Sequence, residues 1–96
     1  MQERLIRAIS EWRIIGFFFG ALAVIVEPRL LGRNRSGELL LGGWRVNGGG
    51  LVWKEYPVSQ MSSLIERNGA YTGEDEIELG SIAGVICSGF VAKRGK

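Results

Sequence analysis

A mainly β domain, a small closed sheet preceded by one helix, is the fold class this chain predicts, and three observations lead to it. Glycine supplies 15 of 96 residues, about twice its usual share of roughly 7%, which favours many turns and short strands over long helices. The uncharged run Ile14–Val26 is rich in strand-forming Phe, Ile and Val but is broken at Gly20-Ala21, where glycine can supply the positive φ of a two-residue hairpin loop. Two further apolar runs flank Asn34-Arg35-Ser36-Gly37, residue types that favour the local hydrogen bonds of a chain reversal.

In chain order, residues 2–12 place Leu5, Ile6, Ile9 and Trp12 at helical spacing, with Arg4, Arg7 and Glu11 on the other side. An amphipathic helix covering a sheet is expected there. Arg13–Phe19 and Leu22–Glu27 follow as a hairpin. As a single helix the run Ile14–Val26 would reach only about 20 Å, short of the roughly 30 Å hydrocarbon core. A secretory leader is the nearer rival, since Arg4, Arg7 and Arg13 precede the apolar segment, but Glu3 and Glu11 interrupt the basic region and Glu27-Pro28 stands where small residues belong. No membrane role is expected.

Pro28 has no N–H to give a ladder, so it marks an edge or a bend between strands, with a third strand at Arg29–Arg33 and a fourth at Glu38–Val46. Gly42-Gly43 points to a bulge or sharp bend in that fourth strand. Asn47-Gly48-Gly49-Gly50 reads as a connector, because a phosphate cradle needs a helix behind it and a Lys or Ser/Thr at set spacing. Val52–Val58 is extended, and Ser59–Ile65 fits either a helical turn or a fifth strand. Residues 1–66 thus make the helix and barrel. Residues 67–96 form a C-terminal extension packed on the barrel or on a partner, its apolar Ile77–Val91 segment fitting two more strands or a helix.

Several chemistries are excluded by composition. The chain has no His and a single Cys, Cys87, so neither a usual zinc centre nor a Ser-His-Asp or Cys-His nucleophile can be assembled. One cysteine also leaves no internal disulfide, which makes a reducing cytoplasm the simplest compartment. Cys87 lies between Ile86 and Ser88 in an apolar stretch and reads as an inert thiol. The net charge of +2 is too small to argue for nucleic acid by itself. Glu74-Asp75-Glu76 with Glu78, and Lys93, Arg94 and Lys96, read as solubilising patches.

The order of signals resembles the WYL domain family: a lead-in helix, a strand pair ending in Val26-Glu27-Pro28, then Leu30-Leu31-Gly32, a turn, the Gly37–Trp44 strand, and the aromatic segment Trp53-Lys54-Glu55-Tyr56, together about residues 4–66. The resemblance implies an SH3/Sm-like β-barrel of the kind found in bacterial transcription regulators, thought to sense nucleotide or nucleic-acid ligands through a basic groove. The chain departs from that pattern in carrying Leu39-Leu40-Leu41 where the family has its Trp-Tyr-Leu signature, with Trp44 further along.

Together these signals predict a non-enzymatic binding or regulatory module without cofactor, metal or catalytic residues. Arg29, Arg33, Arg45 and Lys54 are the expected phosphate contacts, with Arg35 nearby, and Trp44 and Trp53 the stacking surfaces, since guanidinium groups fork onto phosphate and an indole face accepts a base. The opposing account makes the cations solvated and the tryptophans core. Glu27, Glu38 and Glu55 lie on different expected strands, and cross-strand ion pairs to Arg29, Arg45 or Lys54 explain them more simply than acid and base work. The alternative function is assembly, by homo-oligomerisation or binding of a partner protein, because exposed sheet edges and the apolar Ile77–Val91 segment need cover.

Overall fold

A computed structural model describes residues 1–67 and 80–88. The acidic patch and the basic end expected from the sequence lie outside the described residues. The chain is mainly β with one N-terminal helix. Helix α1 (Gln2–Ser10) leads into β1 (Ile14–Phe19), β2 (Leu22–Arg33), β3 (Leu39–Arg45) and β4 (Val52–Pro57). A 3-10 turn at Val58–Gln60 joins β4 to β5 (Met61–Arg67), and β6 (Gly84–Ser88) follows. Ser59–Ile65 is therefore turn and strand in succession, not one or the other.

Strand order is β4-β3-β2-β1-β5, antiparallel throughout, with β6 added to β2. The sheet is rolled: Tyr56 of β4 packs edge-on against both Phe17 and Phe19 of β1, each with ring centroids 5.2 Å apart, although two strands separate β4 from β1 in the ladder. Side chains from α1, β1, β2, β3, β4 and β5 share this core, including Leu5, Ile15, Val26, Leu41, Tyr56 and Leu64. Helix α1 buries Leu5, Ala8 and Ile9 in it; Leu5 and Ile9 belong to the stripe expected from the spacing, whereas Ile6 is half buried and Trp12 lies past the helix end.

The β1–β2 hairpin turns where glycine allows it. Phe19 pairs with Leu22 and Gly20 has φ +63°. The β2–β3 turn is held from Asn34, whose Oδ1 accepts the backbone N–H groups of Ser36 at 3.0 Å and Glu38 at 2.9 Å, while Gly37 sits at φ +85°.

Two expectations need correcting. Pro28 does not separate strands; it lies inside the single strand β2. Successive residues of a strand point their peptide groups to opposite neighbours. Ile25 bonds toward β3, accepting from Val46 N–H and donating to Asn47, so the nitrogen of Pro28 faces the other edge. There β1 pairing ends at Val26 and β6 pairing starts at Leu30. Among the described residues the missing N–H therefore falls between these two pairings and removes no ladder bond.

The bulge near Gly42-Gly43 is real but belongs to β2. Pro28 pairs with Gly43 and Leu30 with Gly42, which leaves Arg29 as the extra residue. The glycines serve close approach instead. A Cβ on Gly43 would come within 2.6 Å of the Glu27 carbonyl oxygen, and one on Gly42 within 2.8 Å of the Trp53 ring.

The C-terminal strand β6 closes the far half of β2. Its upstream residue Ile82 is buried with Leu30 and Leu40, and Trp53 packs against them. Gly32 is needed here, since a Cβ would collide with the Gly84 backbone and, at 2.5 Å, with the Ile82 side chain. No helix among the described residues is long and apolar enough to cross a membrane.

Candidate ligand site at the mouth of the rolled sheet

Registers decide which of the expected site residues share a face. Residues directly opposite in an antiparallel pair lie on the same side of the sheet, and alternate residues lie on opposite sides. Gly43 is opposite Lys54 and Arg45 opposite both Val52 and Val26, on the side that buries Val26, Leu41 and Tyr56. Trp44 is opposite Trp53 and Glu27, on the outer side. The six residues expected to form one groove are thus divided.

Arg29 is not available to a ligand. As the bulge residue of β2 it is 1% exposed, lies 3.5 Å from the Glu27 carboxylate, itself fully buried, and sits 5.1 Å from the Trp12 ring centroid. The guanidinium is a structural cation, balanced by a carboxylate and an aromatic face. Arg33 is exposed at the end of β2, where its Nη1 donates to the Gly37 carbonyl at 2.9 Å and braces the turn. It pairs with Leu39, six positions along β3 from Arg45, or about 20 Å at roughly 3.3 Å per residue. Arg35 is exposed in the turn.

Trp44 and Trp53 meet edge to face with ring centroids 5.3 Å apart. Trp53 is half buried over Gly42, so it covers the outer surface of the sheet. Glu55, also on that side, accepts hydrogen bonds from the Ser81 N–H at 3.2 Å and its hydroxyl at 2.6 Å, fastening the segment ahead of β6. Of the cross-strand ion pairs anticipated for the carboxylates, Glu27 finds Arg29 within its own strand, while Glu38 accepts from the Asn34 side-chain amide at 3.3 Å.

Arg45 and Lys54 remain together. They are diagonal neighbours on β3 and β4, half buried and exposed respectively. Arg45 Nε donates to Asn47 Oδ1 at 3.2 Å. Asn47 also accepts the Ile25 N–H at 2.9 Å and donates to the Ala23 carbonyl at 3.0 Å, carrying the β2–β3 ladder past the end of β3 through a side chain. Sequence reasoning missed this second role, reading Asn47 as the start of a plain connector. It also missed the aromatic partner of the basic pair, which is Tyr56. Burial pushes the Tyr56 phenol above its ordinary value of 10.0, and the charge of Arg45 pulls it back down. Phe19, half buried, lies against the Tyr56 ring.

The resulting corner has two cations, a phenol and an apolar ring, a donor set suited to an anion carrying a flat group. Among the described residues no cluster of His, Cys, Asp and Glu suits a metal ion. Comparison with known proteins supplies no relative: no family model, no curated protein and no solved structure matches this chain.

Proposed function

We propose that the protein is a non-enzymatic binding module of the WYL type, working in the cytoplasm, that recognises a nucleotide or a segment of single-stranded nucleic acid through Arg45 and Lys54. The observation that carries this reading is the placement of those two cations side by side on one face, with Arg45 close enough to act electrostatically on Tyr56. Phosphate oxygens would take the guanidinium and ammonium groups, and a base would rest on Phe19 beside the Tyr56 ring. Arg33 lies too far along the sheet to touch the same phosphate and would meet a neighbouring part of a longer ligand.

Binding of a labelled single-stranded oligonucleotide at two salt concentrations tests it. Two phosphate contacts give a slope of about −1.4 in log affinity against log salt, so a fourfold rise in salt weakens binding about sevenfold. Arg45→Ala or Lys54→Ala should weaken binding and remove about half of that dependence. Binding indifferent to salt, or unchanged in both variants, contradicts the proposal.

A second reading has its own observation. Among the described residues β4 pairs only with β3 and β5 only with β1, and each of these edge strands carries an exposed apolar side chain, Val52 and Ile65. Unpaired edges of this kind are templates for another chain. Assembly of copies through these edges predicts dimers or larger species by light scattering at micromolar concentration; a strict monomer contradicts it.

A further inference from the structure

The outer face of the sheet, away from the Arg45 and Lys54 corner, has a cavity of about 210 Å3 above β1, β2 and β5. Three features of the chain create it. Gly16, opposite both Ile25 and Ile65, lines the cavity without a side chain and is itself buried between its neighbours. A Cβ there would meet the Arg67 Cδ at 3.4 Å and the Ile65 Cγ1 at 3.6 Å. The β1–β5 ladder shifts register between Gly16 and Phe18, and Ser63 takes a φ of +56° in that interval. Such a conformation is unfavourable for a residue with a Cβ and points to a site where backbone geometry serves something other than regular pairing.

The walls are apolar and open to solvent, with Phe18 45% and Ile65 52% exposed. Among the described residues, the only charged one lining it is Arg67. Its guanidinium has no hydrogen-bond or ion-pair partner among the described residues, whereas the neighbouring carboxylate, Glu66, lies on the opposite face and pairs with Arg7 at 3.2 Å. A cation at the rim of an apolar slot fits an amphiphile with one anionic end.

We infer that this cavity is a binding site for a small planar aromatic carboxylate, its ring over Gly16 between Phe18 and Ile65 and its carboxylate on Arg67. Size sets the class. The volume is below the roughly 300–1,000 Å3 of sites for larger ligands, while an apolar cavity of about 150 Å3 already accepts benzene. Phe18 offers an edge or face to the ring, and the guanidinium fork matches the two carboxylate oxygens. The ring and carboxylate positions lie on the other side of the sheet from Arg45 and Lys54; Asn47, which lines the cavity and also bonds Arg45, is the one residue the two places share.

Indole-3-carboxylate and its neutral counterpart, indole-3-carboxamide, are the probes, followed through the backbone amide signals of the full chain by nuclear magnetic resonance. The carboxylate should cause saturable shifts at Gly16, Ala23 and Ile65, with at least tenfold higher affinity than the carboxamide. Arg67→Gln should abolish that difference with an otherwise native spectrum, and Ile65→Ser should weaken both probes. Absence of saturable shifts at these amides, equal affinity of the two probes, or an unchanged preference in Arg67→Gln overturns the assignment.

Discussion

At Tyr56 a core aromatic brings a titratable group into the same corner as Arg45. Because burial raises its folded-state pKa above 10.0, the neutral phenol stabilises the fold fully below the unfolded value, and that contribution is lost as pH rises through the folded one. Stability should therefore fall on the alkaline side, above about pH 10. Arg45 opposes the shift, so Arg45→Ala should move the Tyr56 titration still higher, read as tyrosinate absorbance against pH. A titration unmoved by the substitution would separate Arg45 from Tyr56 and weaken the proposed site. Asn47 makes the companion point: its three side-chain hydrogen bonds hold Arg45 in place and tie the end of β3 to β2.

Strand β2 is the element on which the others depend, since β3 runs along one edge while β1 and β6 share the other. Its bulge turns Arg29 into the buried pair with Glu27. Removing one member of such a pair leaves an uncompensated charge in the core, so Arg29→Ala should cost about 3–5 kcal/mol by denaturant unfolding. The exposed Arg33 should cost about 0.5 kcal/mol or less. Comparable effects of the two substitutions would contradict a buried role for Arg29. The sequence showed the β1–β2 hairpin because Gly20 interrupts a strand-forming run, and the β2–β3 turn because Asn34 and Gly37 have specific turn chemistry. It misplaced Pro28 because the consequence of a missing N–H depends on which neighbour the nitrogen faces, and that is a property of the whole sheet. Arg29 looked like a surface cation for the same reason: one extra residue in a ladder changes where a side chain points.

For the molecule as a whole, rolling the sheet separates two faces that a linear reading merges. Parity along β3 and β4 was visible in the chain and by itself separates Trp44 from Arg45 and Trp53 from Lys54; that Arg45 and Lys54 share a face needed the register joining the strands. Placing Trp44 and Trp53 beside Arg45 and Lys54 overlooked that alternation, and the indoles lie on the opposite side. Of the four cations expected to share one groove, only Arg45 and Lys54 lie together on one face, and the aromatic rings on that side are Tyr56 and Phe19 in place of the two tryptophans. The most direct test of this account follows the backbone amides and tryptophan indole signals while a short single-stranded oligonucleotide is added. Saturable shifts are predicted at Arg45, Lys54, Tyr56 and Phe19, with the indoles of Trp44 and Trp53 unmoved. Shifts centred on the two indoles, with Arg45 and Lys54 silent, would contradict it.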